Sequence, residues 1–171
     1  MIVCDELKCV FVHVPKTGGS TITEILAPYV NPDFSVEEER GWQVKFHKIH
    51  MHAGLTNPEQ YKEYWRFALI RNPYDRWMSW TRNTPKPGRK LRQQSTLVKY
   101  VDTLFSFEHY ETSLKTIAEK LNISLPTPLP HRLNTQDRVK PIDEETAEFV
   151  WKKFRGDFEL GYQKESWKDY A

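Results

Sequence analysis

Between residues 15 and 21 the chain reads Pro-Lys-Thr-Gly-Gly-Ser-Thr, a set of residue types suited to holding an anion. Gly18 and Gly19 let backbone amides approach a ligand closely, Thr17, Ser20 and Thr21 add hydroxyls, and Lys16 adds an ammonium. The preceding run Lys8 to Val14 (KCVFVHV) is β-branched, aromatic and of strand length, and Thr21 to Ala27 has helical composition. A glycine loop between a strand and a helix aims the helix's first amides at whatever the loop holds. The plain alternative, a glycine turn with a solvated lysine, is weakened by that strand-before, helix-after setting. A nucleoside triphosphatase loop puts its lysine after the glycines, GxxxxGK[ST], beside a hydroxyl that holds magnesium. Here Lys16 precedes Gly18 and Gly19.

Two further groups complement the loop. Arg66 to Arg71 (RFALIR) reads as a buried strand stopped by Asn72-Pro73, and Asn72 with Asp75 three residues on has the spacing of a capping box for a helix from Pro73. Arg71 at the strand's end can fork two phosphate oxygens; a salt bridge from Arg71 to Asp75 is the competing reading. His47-Lys48-Ile49-His50-Met51-His52 lies between the two anion motifs, and in an extended segment His50 and His52 share a face opposite His47. Such a pair suits a general base. It also suits zinc, which needs about four ligands, yet no cysteine or second histidine cluster is near in sequence. Exposed histidines are the third reading. Arg82, Lys86, Arg89, Lys90 and Arg92 form a basic stretch, read first as a solvated loop and second as a guide for an anionic acceptor.

The run PKTGGST after a hydrophobic strand resembles the 5′-phosphosulfate loop of sulfotransferases. Phe67 to Ser79 (FALIRNPYDRWMS) resembles the family's second signature, in which an arginine and a serine eight residues later hold a 3′-phosphate; here these are Arg71 and Ser79. Together they resemble the branch that includes heparan sulfate 2-O-sulfotransferase and small bacterial carbohydrate sulfotransferases. Weaker likenesses to that branch are Phe107 to Glu111, Pro130 to Thr135, and Arg155-Gly156-Asp157-Phe158 with Gly161-Tyr162. Arg132 and Arg138 of the late loop would then touch the donor's phosphate.

The resemblance implies a P-loop-like three-layer α/β fold spanning residues 1–171 as one domain. It implies 3′-phosphoadenosine 5′-phosphosulfate as donor, adenosine 3′,5′-bisphosphate as product, no metal, and a hydroxyl acceptor, first of all on a carbohydrate. In the 2-O-sulfotransferases a His-x-His pair at this place supplies the base, and bacterial relatives keep one histidine before a small residue. His52-Ala53 fits the single form and His50 the first member of the pair. Lys16 would neutralise charge on the leaving oxygen. The rival readings are a P-loop kinase for a small molecule, which needs magnesium and ATP, and a catalytically inactive nucleotide-binding module.

Positioning these residues requires alternating strands and helices. Pro28 and Pro32 are expected to close the first helix, and Val44 to His52 to be extended. Asn57-Pro58-Glu59 should start a short helix to about Trp65, and the helix from Pro73 should present Tyr74, Trp77 and Met78 on one face before a loop at Thr84 to Gly88. Thr96 to Leu104 and Thr112 to Leu121 have helical spacing, with an extended piece around Phe105 to Tyr110. Leu125 to Pro141 is proline-broken and reads as a long loop. Asp143 should cap a helix whose stripe is Ala147, Val150, Trp151 and Phe154, with Ile142 stapled to Ala147 and Gly156 as its stop.

Alternation of this kind predicts an α/β layer structure with a mostly parallel central sheet flanked by helices, its ligand site beyond the carboxyl ends of the strands. At 171 residues one domain is the default. A net charge of +2 speaks against a general nucleic-acid binder. No stretch reaches the roughly 18 apolar residues of a membrane span, and Asp5, Glu6 and Lys8 stand where a signal peptide needs its apolar segment. A cytoplasmic setting follows as an expectation, in which Cys4 and Cys9 are reduced.

Overall fold

Alternate residues of the second strand face opposite ways, and both faces are apolar: Cys9 and Phe11 on one, Val10 and Val12 on the other, all fully buried. A strand buried on both faces must lie inside a layered structure. The computed structural model, which describes residues 1–30, 54–83, 90–129 and 141–170, shows that arrangement. Four strands, β1 (Ile2–Cys4), β2 (Cys9–Val12), β3 (Trp65–Ile70) and β4 (Thr103–Ser106), form one sheet in the order β1-β2-β3-β4. β1 runs antiparallel to β2, whereas β2, β3 and β4 are parallel, with Phe11 opposite Phe67 and Phe67 opposite Thr103.

One face packs on α1 (Gly19–Val30) and on the helix Tyr110–Leu121, through Ile22, Leu26, Leu114, Ile117 and Leu121 against Phe11, Phe67 and Leu69. The other face meets Leu97 and Val98 through Val10, Val12, Ala68 and Ile70. Side chains of this size stabilise by about 1.5–3 kcal/mol each when fully buried. Numbered in chain order, the remaining helices are α2 (Pro73–Asn83), α3 (Gln94–Leu97), α4 (Tyr110–Leu121), α5 (Glu144–Lys153) and α6 (Arg155–Phe158). A second core joins α2, α5 and α6 through Tyr74, Met78, Val150, Phe154 and Phe158. The fold is therefore the expected α/β layering with a mostly parallel sheet.

Several local expectations change. Pro28 does not end α1, which continues to Val30 with the proline inside it. The segment after Pro58 forms only a 3₁₀ turn, Glu59–Tyr61, because Trp65 already enters β3. Thr96 to Leu104 is not a helix: α3 ends at Leu97, and Thr103 opens β4, where pairing with Phe67 overrides helical spacing. Gly156 does not stop a helix but lies within α6; α5 ends at Lys153 with Phe154 as its cap. Asp143 does cap α5, accepting from the Thr146 amide at 2.7 Å. Cys4 and Cys9 are free thiols, fully buried and opposite one another, and burial followed by the neighbouring Cys4 pushes the Cys9 thiol up to about 12.

Candidate active site

The parallel strands β2 and β3 end side by side, so the loops that follow them, Pro15 to Gly18 and Arg71-Asn72, meet at the carboxyl edge of the sheet. Lys16 and Gly18 both take left-handed backbone conformations, with φ of 71° and 76°. For a lysine this costs about 1–2 kcal/mol. The compensation comes from its neighbours. Arg76 Nε donates to the Pro15 carbonyl at 2.9 Å and Arg71 Nη1 donates to the Lys16 carbonyl at 3.1 Å. A hydrogen bond from a charged donor contributes about 1.5–3 kcal/mol, so two of them outweigh the strain.

The rest of the loop is held the same way. The Thr17 hydroxyl donates to the Val14 carbonyl at 2.9 Å, the Tyr110 hydroxyl to the Gly18 carbonyl at 2.8 Å, and the Thr23 hydroxyl to the Gly19 carbonyl at 2.9 Å. Carbonyl oxygens engaged with the protein cannot face an anion, and the amides of Gly19 and Ser20, first in α1, have no intrahelical acceptor.

Each glycine also has a packing reason. A Cβ on Gly19 would lie 2.4 Å from Cδ2 of His13, and one on Gly18 would lie 2.8 Å from the Tyr110 ring and 2.9 Å from that of Phe107.

Positive charge gathers here. Lys16 is half-buried, and its ammonium is held below the ordinary lysine value of 10.5, first by burial and then by the charges of Arg71 and Arg82. Arg71 is 7% exposed. Its Nε donates to Asp75 at 2.5 Å and its guanidinium lies 4.1 Å from the centre of the Phe107 ring. Arg71 thus makes the salt bridge to Asp75 and also reaches the glycine loop. The Arg71 backbone is fixed by Gln94, whose Oε1 accepts from its N–H at 3.2 Å and whose Nε2 donates to its carbonyl at 2.8 Å. Asp75, Ser79 and Arg82 fall on one stripe of α2 at the i, i+4, i+7 spacing, and Ser79 is buried.

The capping of α2 departs from the box. Asn72 Oδ1 accepts from the Tyr74 amide at 2.9 Å as expected, but Asp75 turns to Arg71 and the Asn72 amide donates to Glu108 Oε1 at 2.6 Å.

Arg76, 1% exposed, reaches further: Nη1 donates to Asp157 at 3.2 Å and Nη2 to the Arg92 carbonyl at 2.8 Å. Asp157 also accepts from the amide and hydroxyl of Ser95, both at 2.9 Å. Burial works against both charges, pushing Arg76 down to about 10 and the Asp157 carboxyl up, with each ion opposing that effect on the other.

The structure thus brings together Lys16, Thr17, Gly18, Gly19, Ser20 and Thr21 with Arg71, and sets Ser79 on the helix that follows. It turns the Thr17 hydroxyl inward to Val14, and brings the Thr21 hydroxyl into hydrogen-bonding contact with Tyr110. His47, His50 and His52, the extended segment predicted around them, Lys86 and Arg89 of the basic stretch, and Arg132 and Arg138 lie outside the described residues.

Sequence reading did not single out Gln94, Arg76 or Tyr110. Arg76 had one available signal, the second arginine of RNPYDR five residues after the first. Among the described residues no cluster of three or more His, Cys, Asp or Glu could hold a metal, and no helix is long and apolar enough to cross a membrane.

No curated protein and no solved structure matches the chain. A model of the sulfotransferase family matches residues 1–95, more than half of the 171 residues, and this stretch contains the glycine loop, Arg71, Arg76, Ser79 and Gln94. A half-buried cationic loop at a helix start, braced by the strand-loop-helix unit beside it, is what sulfuryl transfer from an anionic donor needs, and the chain belongs to the sulfotransferase family.

Proposed function

We propose that the protein transfers a sulfuryl group from 3′-phosphoadenosine 5′-phosphosulfate to an acceptor hydroxyl, in the first instance on a carbohydrate, as in the branch resembling heparan sulfate 2-O-sulfotransferase. The observation that carries the reading is the convergence of Lys16 and Arg71 on a loop whose Pro15, Lys16 and Gly18 carbonyls are held by the protein. The loop amides, with Ser20, would hold the 5′ end of the donor, and Arg71 with Ser79 its 3′-phosphate. His52, with His50 as partner or alternate, would take the acceptor's proton as the acceptor oxygen bonds to sulfur and the sulfur–oxygen bond to the 5′-phosphate breaks. The bisphosphate leaves with that electron pair, and Lys16 neutralises the charge on its oxygen.

Calorimetric titration tests the donor. Adenosine 3′,5′-bisphosphate is expected to bind without metal, and ATP to bind weakly with or without magnesium; tight binding of magnesium-ATP alone would favour a kinase. For the base, His52→Ala should cut transfer by about 10²–10⁴-fold while bisphosphate affinity stays near wild type, and full activity would remove His52 from the mechanism.

A further inference from the structure

The family signatures name residues that touch the donor, yet most of the interactions that shape the loop come from side chains outside it. In a trans peptide the carbonyl of one residue and the N–H of the next point in opposite directions. Among the described residues the only cis peptide is Thr127–Pro128, so this rule governs the loop. Each carbonyl grip therefore fixes the direction of the following amide. Arg76 on the Pro15 carbonyl sets the Lys16 N–H, Arg71 on the Lys16 carbonyl sets that of Thr17, and Tyr110 at 2.8 Å, with the Thr21 amide at a longer 3.3 Å, on the Gly18 carbonyl sets that of Gly19. Gly19 is the first residue of α1, where the amide is available to a ligand.

We propose that Tyr110 and Arg76 are positioning residues that hold the amides of Gly19 and Lys16 toward the anion before any ligand arrives. Neither needs to touch the donor. Tyr110 stands at the start of α4, with its ring 5.3 Å from that of Phe107, and both rings lie against Gly18. Its hydroxyl is the part that orients the peptide. Arg76 is anchored by Asp157 and the Arg92 carbonyl, which fixes its guanidinium from behind. Asp157 lies beyond the residues the family model matches, so Arg76 connects the carboxy-terminal third of the chain to the loop.

A purely structural role is separable. Tyr110→Phe removes one oxygen and keeps the ring, and the Gly18 carbonyl retains the Thr21 amide at 3.3 Å, so the variant is expected to fold. Arg76→Lys keeps the charge facing Asp157 but loses the fork. The inference rests on the donor reading for the identity of its ligand, and the experiment keeps the two apart. Wild type, Tyr110→Phe and Arg76→Lys are compared well below each melting temperature. Binding of pyrophosphate and of adenosine 3′,5′-bisphosphate is measured by calorimetry, and backbone order parameters of the free proteins by ¹⁵N relaxation.

Tyr110→Phe is expected to weaken both ligands about fivefold, the equilibrium effect of one hydrogen bond. Order at Gly18 and Gly19 should fall while the sheet stays unchanged and the melting temperature nearly so. Arg76→Lys, if folded, should lose more affinity; if it does not fold, Tyr110→Phe decides. Wild-type affinity together with wild-type loop order in Tyr110→Phe overturns the inference, as does a loosening spread evenly over the chain. Wild type that binds pyrophosphate but not the bisphosphate overturns the donor reading alone. If wild type binds neither, the donor reading falls and the order parameters of the free loop decide the inference.

Discussion

Gly19→Ala tests whether the loop's second glycine is required by the protein itself rather than only by a ligand. The added Cβ would sit 2.4 Å from Cδ2 and 2.6 Å from Nε2 of His13. Ordinary contact is about 1 Å longer, so either the ring or the start of α1 must move. His13 is 4% exposed, stacks on Phe11 at 5.6 Å, and has Nδ1 3.5 Å from the Thr23 hydroxyl, so the ring has little room. Overpacking of this kind costs about 1–3 kcal/mol. The helical preference of Ala over Gly, roughly 0.5–1 kcal/mol inside a helix, returns at most that much at the first residue of α1, leaving a net loss of about 1.3 kcal/mol at the midpoints of the two ranges. For a chain of this size that lowers the melting temperature by roughly 5 °C. Urea unfolding of Gly19→Ala, His13→Ala and the double variant forms a cycle, in which the cost of Gly19→Ala should vanish or reverse once the ring is gone. Equal cost in both backgrounds, or no cost in either, would refute the steric reasoning.

The pair Arg76–Asp157 should show the asymmetry of a buried ion pair. Asp157→Ala leaves the guanidinium on the Pro15 and Arg92 carbonyls but without its counter-charge and is expected to cost about 3–5 kcal/mol, whereas Arg76→Met with Asp157→Leu should cost less than the sum of the two single changes, read by denaturant unfolding. Lys16 predicts a pH dependence. Burial and the charges of Arg71 and Arg82 depress its pKa in the free protein, and a bound dianion raises it again, so the complex holds the proton more tightly. The Lys16 contribution to affinity for adenosine 3′,5′-bisphosphate should be full near neutral pH, where the phosphates are dianions, and decline as pH rises through the depressed value, before 10.5 is reached. Lys16→Met should remove that alkaline decline. For folding the sign is opposite. The unfolded chain binds this proton more tightly, so the residue's contribution to stability rises with pH between the depressed value and 10.5.

Local order carried the legible part of the site. Lys8 to Val14, the loop and α1 form one continuous segment in which strand propensity, glycines and helix start agree, and Arg71, Asn72 and Pro73 repeat the pattern. Such agreement can be read without knowing what packs on what. The errors fall where contacts distant in sequence override local preference: Thr103 pairs with Phe67 in β4, and Pro28 stays inside α1, whose buried face packs on the sheet.

The glycine loop itself shows the division. Its residue types and the place of Lys16 before the glycines determined that it reads as an anion loop outside the triphosphatase pattern, because that depends on neighbours in the chain. How its carbonyls are turned away was decided only by tertiary structure. The side chains responsible, Arg71, Arg76 and Tyr110, lie 55 to 92 residues from the carbonyls they hold, and no periodicity in the sequence records such distances. Gly19 likewise reads as a ligand's glycine, and the fold makes it His13's as well.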